Sequence, residues 1–387
     1  MSVYVVLLAR PGARALALAC AVGWMSFAGL GLGIVLLVED TTGSFAVAGL
    51  AIGGFAAGAG LLAPLRGRRV DRRGGSALVA FGALHAVGLA TLVIVAGRAP
   101  DAVTVGAAIA AGAVAPPLIA TARSLWPGIA GPDLTRAAHA MNALIGDAAA
   151  VLAPAVIGGL TVAAGAAAAL VVIGGGPLAG CLVVARAGVP ATAPAGPAAR
   201  GGVLRSSRGL RTIVAVGLPL GVTLGALEVA APALAGAHDR AALAAVPLGA
   251  FAAGAVACSA WAGHSARAGG PRTRFTVGTA VMAGGFAPCL LIRSVWVLAA
   301  VLVVAGAGFA LINVGALELL DDVVDRANAV EALTWLTTAE GIGLAAGGAL
   351  AGALAADGPG GALVLVALAP VAAVTIAVRR RETLSGG

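Results

Sequence analysis

The stretch Gly67–Ser76, GRRVDRRGGS, sets four arginines and one aspartate between two apolar segments. The segments on either side consist almost wholly of Ala, Gly, Leu, Val and Phe. Charged side chains at this density are costly in hydrocarbon, so the stretch predicts a connection between two membrane-spanning helices. The arginines would hold that connection on one side of the membrane, but they leave Asp71, the single acid among them, without an explanation.

The composition of the whole chain points to the same environment. Apolar residues make up 60% of the 387 residues, 10% are charged, and the mean hydropathy is +1.04. Soluble domains carry about a quarter charged residues, so this chain is not expected to meet water over most of its surface. The net charge of +8 comes from scattered arginine clusters with 4% aromatic residues, which favours a membrane protein over a nucleic-acid-binding one. The four cysteines lie in apolar runs without metal-like spacing, so neither disulfides nor a metal site is expected: Cys20, Cys181, Cys258 and Cys289.

Twelve apolar stretches have the length of about 20 residues that a transmembrane helix needs. They predict an all-α membrane protein with twelve transmembrane helices. Their high Ala and Gly content suits helices that pack against other helices rather than lone anchors. The expected spans, numbered in chain order, are 15–38, 44–65, 77–97, 102–122, 140–163, 166–185, 211–235, 241–262, 275–292, 295–317, 328–355 and 361–378.

The distribution of arginine predicts the orientation of these spans. The chain contains no lysine, so all 24 basic residues are arginine. If the N-terminus is cytoplasmic, only Arg98, Arg240 and Arg293 fall in outer segments, which leaves 21 arginines inside, among them the cluster Arg66–Arg73. This is a strong positive-inside bias. We therefore expect a multi-pass protein of the cell inner (plasma) membrane with both termini in the cytoplasm.

The charged stretch also contains the pattern GxxxDRxG, formed by Gly67, Asp71, Arg72 and Gly74. In this form, between the second and third of twelve spans, it resembles the signature of the major facilitator superfamily. The resemblance implies that Asp71 and Arg72 belong to a cytoplasmic gate between two halves, with the carboxylate near the N-terminus of a facing helix, where the helix dipole favours negative charge. The alternative is that Asp71 only offsets the neighbouring arginines in a solvated turn.

A duplication accompanies the signature. Residues 186–210 are rich in Pro, Ala, Gly and Arg and contain no apolar span, which indicates a flexible linker. We therefore predict an N-terminal six-helix half at 1–186, a cytoplasmic linker at 187–210 and a C-terminal six-helix half at 211–387. Gly263 recurs 196 positions after Gly67, the same offset as between the first and seventh spans, and Arg267 takes the place of the acid. Two pseudo-symmetric halves are the arrangement in which such transporters rock around a site at the bilayer midplane.

Other stretches extend the resemblance over the whole chain. Ala153–Leu160, APAVIGGL, resembles the helix-packing Pro-Gly motif of exporters through Pro154, Gly158 and Gly159. Segments 225–235 and 331–352 are similar to the seventh and eleventh helices of actinobacterial drug-exporter-like members. The second and eleventh spans face one another in the family, and each carries glycines that permit close approach. These are Gly49, Gly53, Gly54, Gly58 and Gly60 in one span, and Gly343, Gly347, Gly348 and Gly352 in the other.

Few ionisable side chains lie inside the spans, and burying a charge there costs several kcal/mol unless it is paired or reaches water. The candidates for proton or substrate coupling are Glu340, Glu228, Asp147 and Arg123. Structural alternatives remain open. Arg123 can extend its guanidinium to the interface, and Glu340 can bond to Thr337, Thr338 or an arginine. His85 in the third span is more often a packing residue than a proton carrier.

No enzyme signature is present, and no cofactor is expected. A Walker sequence requires lysine, and neither metal-ligand spacing nor a Gly-x-Ser-x-Gly elbow occurs. We predict a secondary active transporter that exports a small hydrophobic or amphipathic compound by alternating access, with proton antiport as the candidate coupling. The expected partners are the small-molecule substrate, protons and the lipid bilayer, without nucleic acid, and we expect a monomer. The alternatives are an importer or sugar-type permease and a transport-inactive membrane sensor of the same fold.

Overall fold

The computed structural model describes residues 3–131, 133–186, 204, 207–237, 241–264, 270–324, 329–356 and 358–384. These residues are almost entirely helical, and no strand occurs among them. Helices satisfy their own backbone hydrogen bonds, which hydrocarbon demands of a spanning segment. The helices in the described residues are α1 (Val3–Leu8), α2 (Ala13–Thr42), α3 (Phe45–Arg73), α4 (Gly75–Val95), α5 (Asp101–Ala113), α6 (Leu118–Ala130), α7 (Thr135–Ala164), α8 (Ala166–Arg186), α9 (Arg208–Gly236), α10 (Ala245–His264), α11 (Pro271–Phe286), α12 (Val295–Val323), α13 (Ala329–Leu354) and α14 (Pro359–Arg379).

The all-α membrane class is confirmed. In the described residues, ten helical segments are long and apolar enough to cross a membrane. The other two predicted spans also form helices, but one α-helix is too short and the other is less apolar. The ninth span is the 16-residue α11 continued by a 3₁₀ turn at Ala287–Leu290, and the eleventh is α13, which is rich in glycine and contains Glu340.

The fourth span is not one helix, as 102–122 predicted, but two. Helix α5 ends at Ala113 and α6 begins at Leu118. Pro116 and Pro117 lie in the break. A proline has no N–H for the helical ladder and disfavours helical geometry in the residue before it, so two in succession interrupt the helix. The break falls near the middle of a 30-residue apolar segment.

The arginine cluster is helical rather than a loop. Helix α3 continues past the expected end of the second span to Arg73, with Arg72 and Arg73 in its last turn. Cations in the last turn interact favourably with the negative end of the helix dipole. The helix ends at Gly74, whose φ of 63° lies in the left-handed region that other residues seldom adopt.

The chain packs as two compact units. The first consists of the described residues within Met1–Thr42 and Ala57–Pro194. An apolar cluster in this unit gathers side chains from α1, α2, α4, α6 and α8, including Leu7, Leu16, Leu78, Trp126 and Cys181. Leu7 is fully buried in this cluster. Helix α1, which the span pattern does not predict, therefore forms part of the core of this unit.

The second unit consists of the described residues within Gly43–Ala56 and Ala195–Gly387. Its central feature is the seam between α9 and α13, where a side chain at Gly221 or Gly225 of α9 would collide with the backbone of α13. The first part of α3 packs on the same helix, because Gly49 contacts Gly352 and Gly53 contacts Ala345. The predicted close approach of the second and eleventh spans is therefore present in this unit. The predicted boundaries of the two halves and the linker stay predictions.

Candidate functional site

The signature residues lie at the end of α3 and the turn that follows it. Gly67 is part of the helix, and a side chain there would meet open space. Arg72 is exposed, whereas Gly74 is buried at the junction with α4. Asp71 lies in the last turn of α3, but its side chain lies outside the described residues. The gating role of these four residues thus stays a prediction.

Arg66, immediately before the signature, behaves differently from the rest of the cluster. Its side chain is buried, with 7% relative exposure. Nη1 donates to the carbonyl oxygens of Gly112 at 3.1 Å and Ala113 at 2.9 Å, and Nη2 donates to the carbonyl oxygen of Ala59 at 2.6 Å. The guanidinium therefore covers the last carbonyls of α5 where the fourth span breaks, a position at which a cation is favoured by the helix dipole.

His85 lies on the same helix end. It is buried on α4, and its Nδ1 is 2.9 Å from the carbonyl oxygen of Ala111. A buried arginine and a buried histidine thus converge on the last turn of α5. Sequence reasoning placed Arg66 in a loop and missed this arrangement. The signal that could have revealed it is the pair Pro116-Pro117 inside the fourth span, because a broken helix frees carbonyl groups that need donors.

In the first unit, α7 carries two polar residues within about one turn of its contact with Trp24 of α2. Asp147 is half-buried, and the Trp24 ring packs against Gly146 beside it. One turn earlier, Asn142 is fully buried, and its two amide atoms have no hydrogen-bond partner in the described residues. The indole Nε1 of Trp24 is also buried and has no hydrogen-bond partner in the described residues. Arg123 is exposed on α6 and is not brought to these groups by any ion pair with a described residue.

Asn142 was overlooked in the sequence, although an amide in the apolar fifth span is a visible signal. A buried amide that makes no hydrogen bond is costly, and such groups in native structures call for a ligand, a water or a functional role. The unpartnered groups on α2 and α7 therefore form the polar part of a candidate binding site in this unit.

The Pro-Gly residues of α7 divide between its two sides. Pro154 and Gly158, one turn apart, are buried, while Gly159 is exposed, and a side chain there would meet no neighbouring atom. Helix α7 continues through Pro154 to Ala164. Ala153 and Ile157 beside these residues pack on Gly29 of α2. The packing role predicted for Pro154, Gly158 and Gly159 and the role in export stay predictions.

In the second unit, Glu340 lies on the seam between α9 and α13. Its side chain packs over Gly217, and its carbonyl group faces Gly221. The carboxyl group makes no hydrogen bond or ion pair with a described residue. Thr337, one of the predicted partners, donates instead to the carbonyl oxygen of Leu333 at 3.1 Å. The glycines of α9 make room for this acid inside the unit.

Glu228 lies further along α9. Its side chain is half-buried, and its Oε2 is fully buried without a hydrogen-bond partner in the described residues. It follows Gly221 by seven residues, which is about 10 Å along a helix axis. The two acids therefore belong to one unit but lie at different depths, and they do not form a pair. No group of three or more metal-ligating side chains occurs in the described part of the chain.

The sequence matches no known protein-family model and no curated protein. Solved structures do resemble the chain. The nucleoside transporter NupG has 12% identity and a TM-score of 0.74, covering 96% of this chain and 98% of that chain. The POT family transporter PepTSo has 13% identity and a TM-score of 0.71, covering 96% and 97%. A bacterial homolog to the human lysosomal transporter Spinster has 15% identity and a TM-score of 0.67, covering 98% and 96%. The chain has the fold of these transporters.

Proposed function

We propose that this protein is a secondary active transporter that exports a small hydrophobic or amphipathic compound in exchange for protons by alternating access. It resides in the inner (plasma) membrane with both termini in the cytoplasm, as the arginine bias favours. The observation that carries the proposal concerns Glu228, inside a membrane-spanning helix. Its Oε2 is buried and has no hydrogen-bond partner in the described residues.

Burying an ionisable residue inside a membrane-spanning helix costs free energy. Such residues are rare there, and their presence indicates a function. A carboxylate deprived of both water and a cation is poorly stabilised, whereas a carboxyl group that holds a proton can remain in an apolar environment. Glu340 is a second acid inside the spans, half-buried on the adjacent helix. A group that accepts a proton from one side of the membrane and releases it to the other couples a proton gradient to transport.

The first unit supplies groups suited to the compound itself. Asn142 and Trp24 offer buried amide and indole groups without partners in the described residues. Asp147 is half-buried further along α7. Small-molecule sites combine a mostly apolar lining with a few polar groups that fix orientation. This composition supports a compound that is largely apolar with one or two hydrogen-bonding groups.

Transport in inside-out membrane vesicles tests the proposal. The test compounds are ethidium and rhodamine 6G, with uridine and a dipeptide added because the structural relatives include a nucleoside transporter and POT family transporters. We expect uptake of a hydrophobic cation when the vesicle lumen is acidic, and we expect Glu228→Gln to reduce it at least about tenfold, as loss of a required proton carrier does.

Glu382→Gln is the matched control, because it removes one carboxylate outside the membrane-spanning helices. It should leave uptake unchanged. Uptake of uridine or the dipeptide only under the opposite gradient would support the importer alternative. If no compound moves in either direction while the protein is present at normal amounts, the transport-inactive alternative is supported.

A further inference from the structure

The end of the chain folds back onto the start of the second unit. After α14, the residues Arg381–Leu384 form a 3₁₀ turn, and Leu384 is 2% exposed. The hydroxyl groups of Thr383 and Thr212 are 2.8 Å apart, and the carbonyl oxygen of Thr383 faces Gly209 in the first turn of α9. The 3₁₀ turn is therefore fixed against the beginning of α9.

A second contact holds the beginning of α9 in place. The hydroxyl group of Ser207 caps α9 by accepting from the amide of Leu210 at 3.1 Å, and it donates to the carbonyl oxygen of Val323 at 3.0 Å. The start of α9 therefore meets the end of α12 and the turn after α14 at one end of the second unit. Arginines lie next to both contacts in the sequence, so these contacts concentrate positive charge at this end.

Docking of the 3₁₀ turn brings together two arginine groups that are far apart in sequence. We call this surface the basic end; it consists of Arg208, Arg211, Arg379, Arg380 and Arg381. All five side chains are exposed, and none makes an ion pair with a described residue. Among the described residues, the exposed acids at this end are Glu382 and Asp322, so positive charge prevails among them. The positive-inside bias requires such charge on one side of the membrane but does not require the two groups to be aligned.

An apolar face leads to the basic end along α14, and one exposed apolar side chain accompanies it on the adjacent helix α9. On α14, the exposed side chains Val364, Leu368, Val371 and Val378 are spaced by three, four or seven residues, with exposures of 41%, 55%, 50% and 50%. On α9, Leu218 is 43% exposed and lies seven residues after Arg211, on the same face. Such stripes are what a helix presents to acyl chains. The surface therefore combines a strip of apolar side chains with guanidinium groups at its end.

We propose that the basic end binds the headgroup of an anionic phospholipid, whose acyl chains lie along the exposed face of α14. Guanidinium groups bind phosphate oxygens through paired, charge-assisted hydrogen bonds. Clusters of four or more basic residues next to a membrane span attract anionic lipids, and each residue strengthens binding about fivefold. The docked turn positions the arginines of α14 beside those of α9, so that one headgroup meets both.

The test measures the preference of the full chain for spin-labelled phosphatidylglycerol over spin-labelled phosphatidylcholine in phosphatidylcholine vesicles. The double variant Arg211→Gln/Arg380→Gln takes one arginine from each group and should lower this preference at least about fivefold. The control Arg68→Gln/Arg69→Gln removes the same charge from exposed positions on α3 and should leave the preference unchanged. An equal loss in both variants, or a loss in neither, overturns the proposal.

Photocrosslinking of the unaltered chain tests the same site without a substitution, in case the double variant fails to fold. Phosphatidylglycerol with a photoactivatable group in its acyl chain should crosslink mainly to residues 364–378, and excess unlabelled phosphatidylglycerol should suppress those crosslinks where excess phosphatidylcholine does not. Crosslinks spread over all lipid-facing helices, or equal suppression by both lipids, contradict the proposal. Thr383→Val removes the contact with Thr212 without changing the charge, and it should also weaken the preference.

Discussion

Glu340 offers the sharpest test of proton coupling at the scale of a single residue. Its carboxyl group is held over Gly217 without a bond to a described residue. We expect Glu340→Gln to abolish transport driven by a pH gradient while exchange of internal for external compound continues, because exchange needs no net movement of protons. Both rates are measured in proteoliposomes that contain equal amounts of protein.

The same variant distinguishes a structural role for this residue. If exchange and driven transport fall together with the amount of folded protein, Glu340 stabilises the seam between α9 and α13, and Glu228 remains the proton carrier without it, with Asp147 as the next candidate for a second one. The control is Thr337→Val. The Thr337 side chain is exposed on α13 one turn before Glu340, and its replacement should change neither rate.

The candidate functional residues differ in whether they can be predicted from the sequence. Glu228 and Glu340 could be predicted because a carboxylate in an apolar run is conspicuous whatever its contacts. Arg66 could not, because it is one of several arginines within Arg66–Arg73 and composition does not tell which one turns inward. Its burial depends on free carbonyl groups at the end of α5, which exist only once the fourth span is broken.

At the scale of helices, the seam between α9 and α13 depends on the absence of side chains. A methyl group at Gly221 would collide with the carbonyl group of Glu340. We expect Gly221→Ala to lower the stability of the protein by about 1–3 kcal/mol, as overpacking does. Thermal unfolding in detergent measures the change.

Gly341 provides the matched control for that prediction. It lies on α13 next to Glu340, and a side chain there would meet no neighbouring atom. Gly341→Ala should leave stability unchanged or raise it by up to about 1 kcal/mol through higher helix propensity. A similar loss in both variants would show that the seam does not require glycine at Gly221.

The break in the fourth span makes a second prediction at this scale. Arg66→Gln removes the charged donor that covers the carbonyl groups of Gly112 and Ala113. Buried acceptors left without donors cost about 1–3 kcal/mol, so amide exchange at the end of α5 should accelerate and the unfolding temperature should fall. Arg68→Gln, an exposed neighbour, should stay within about 0.5 kcal/mol of the unaltered protein. Equal effects would contradict the covering role of Arg66.

Most helices were predictable from apolar length alone, because a membrane span has few alternatives to a helix. The second span was predicted to end near residue 65, yet α3 runs to Arg73. Apolar length predicts where a helix leaves the hydrocarbon, not where the helix ends. No residue before Gly74 forces the chain to turn. The prediction of one continuous helix for the fourth span was wrong for the opposite reason. Its apolar run contains two prolines that break the helix, and a hydropathy average does not register them.

At the scale of the whole molecule, orientation can be tested by thiol labelling. Single cysteines replace Ser76 or Asp101 in a chain whose four native cysteines have been changed to alanine. Both positions are exposed. A membrane-impermeant reagent should label the cysteine at position 76 only in inside-out vesicles and the one at 101 only in right-side-out vesicles. The reverse pattern would refute the proposed cytoplasmic location of the termini.

Counterflow tests the central claim of transport most directly. Proteoliposomes are loaded with an unlabelled form of the compound that the vesicle assay identifies, and they are diluted into a trace of its radiolabelled form without any ion gradient. An alternating-access transporter exchanges one for the other, so the label should accumulate transiently above its equilibrium level and then decline. Liposomes with the purified protein that take up the label only to the level of protein-free liposomes would contradict the claim.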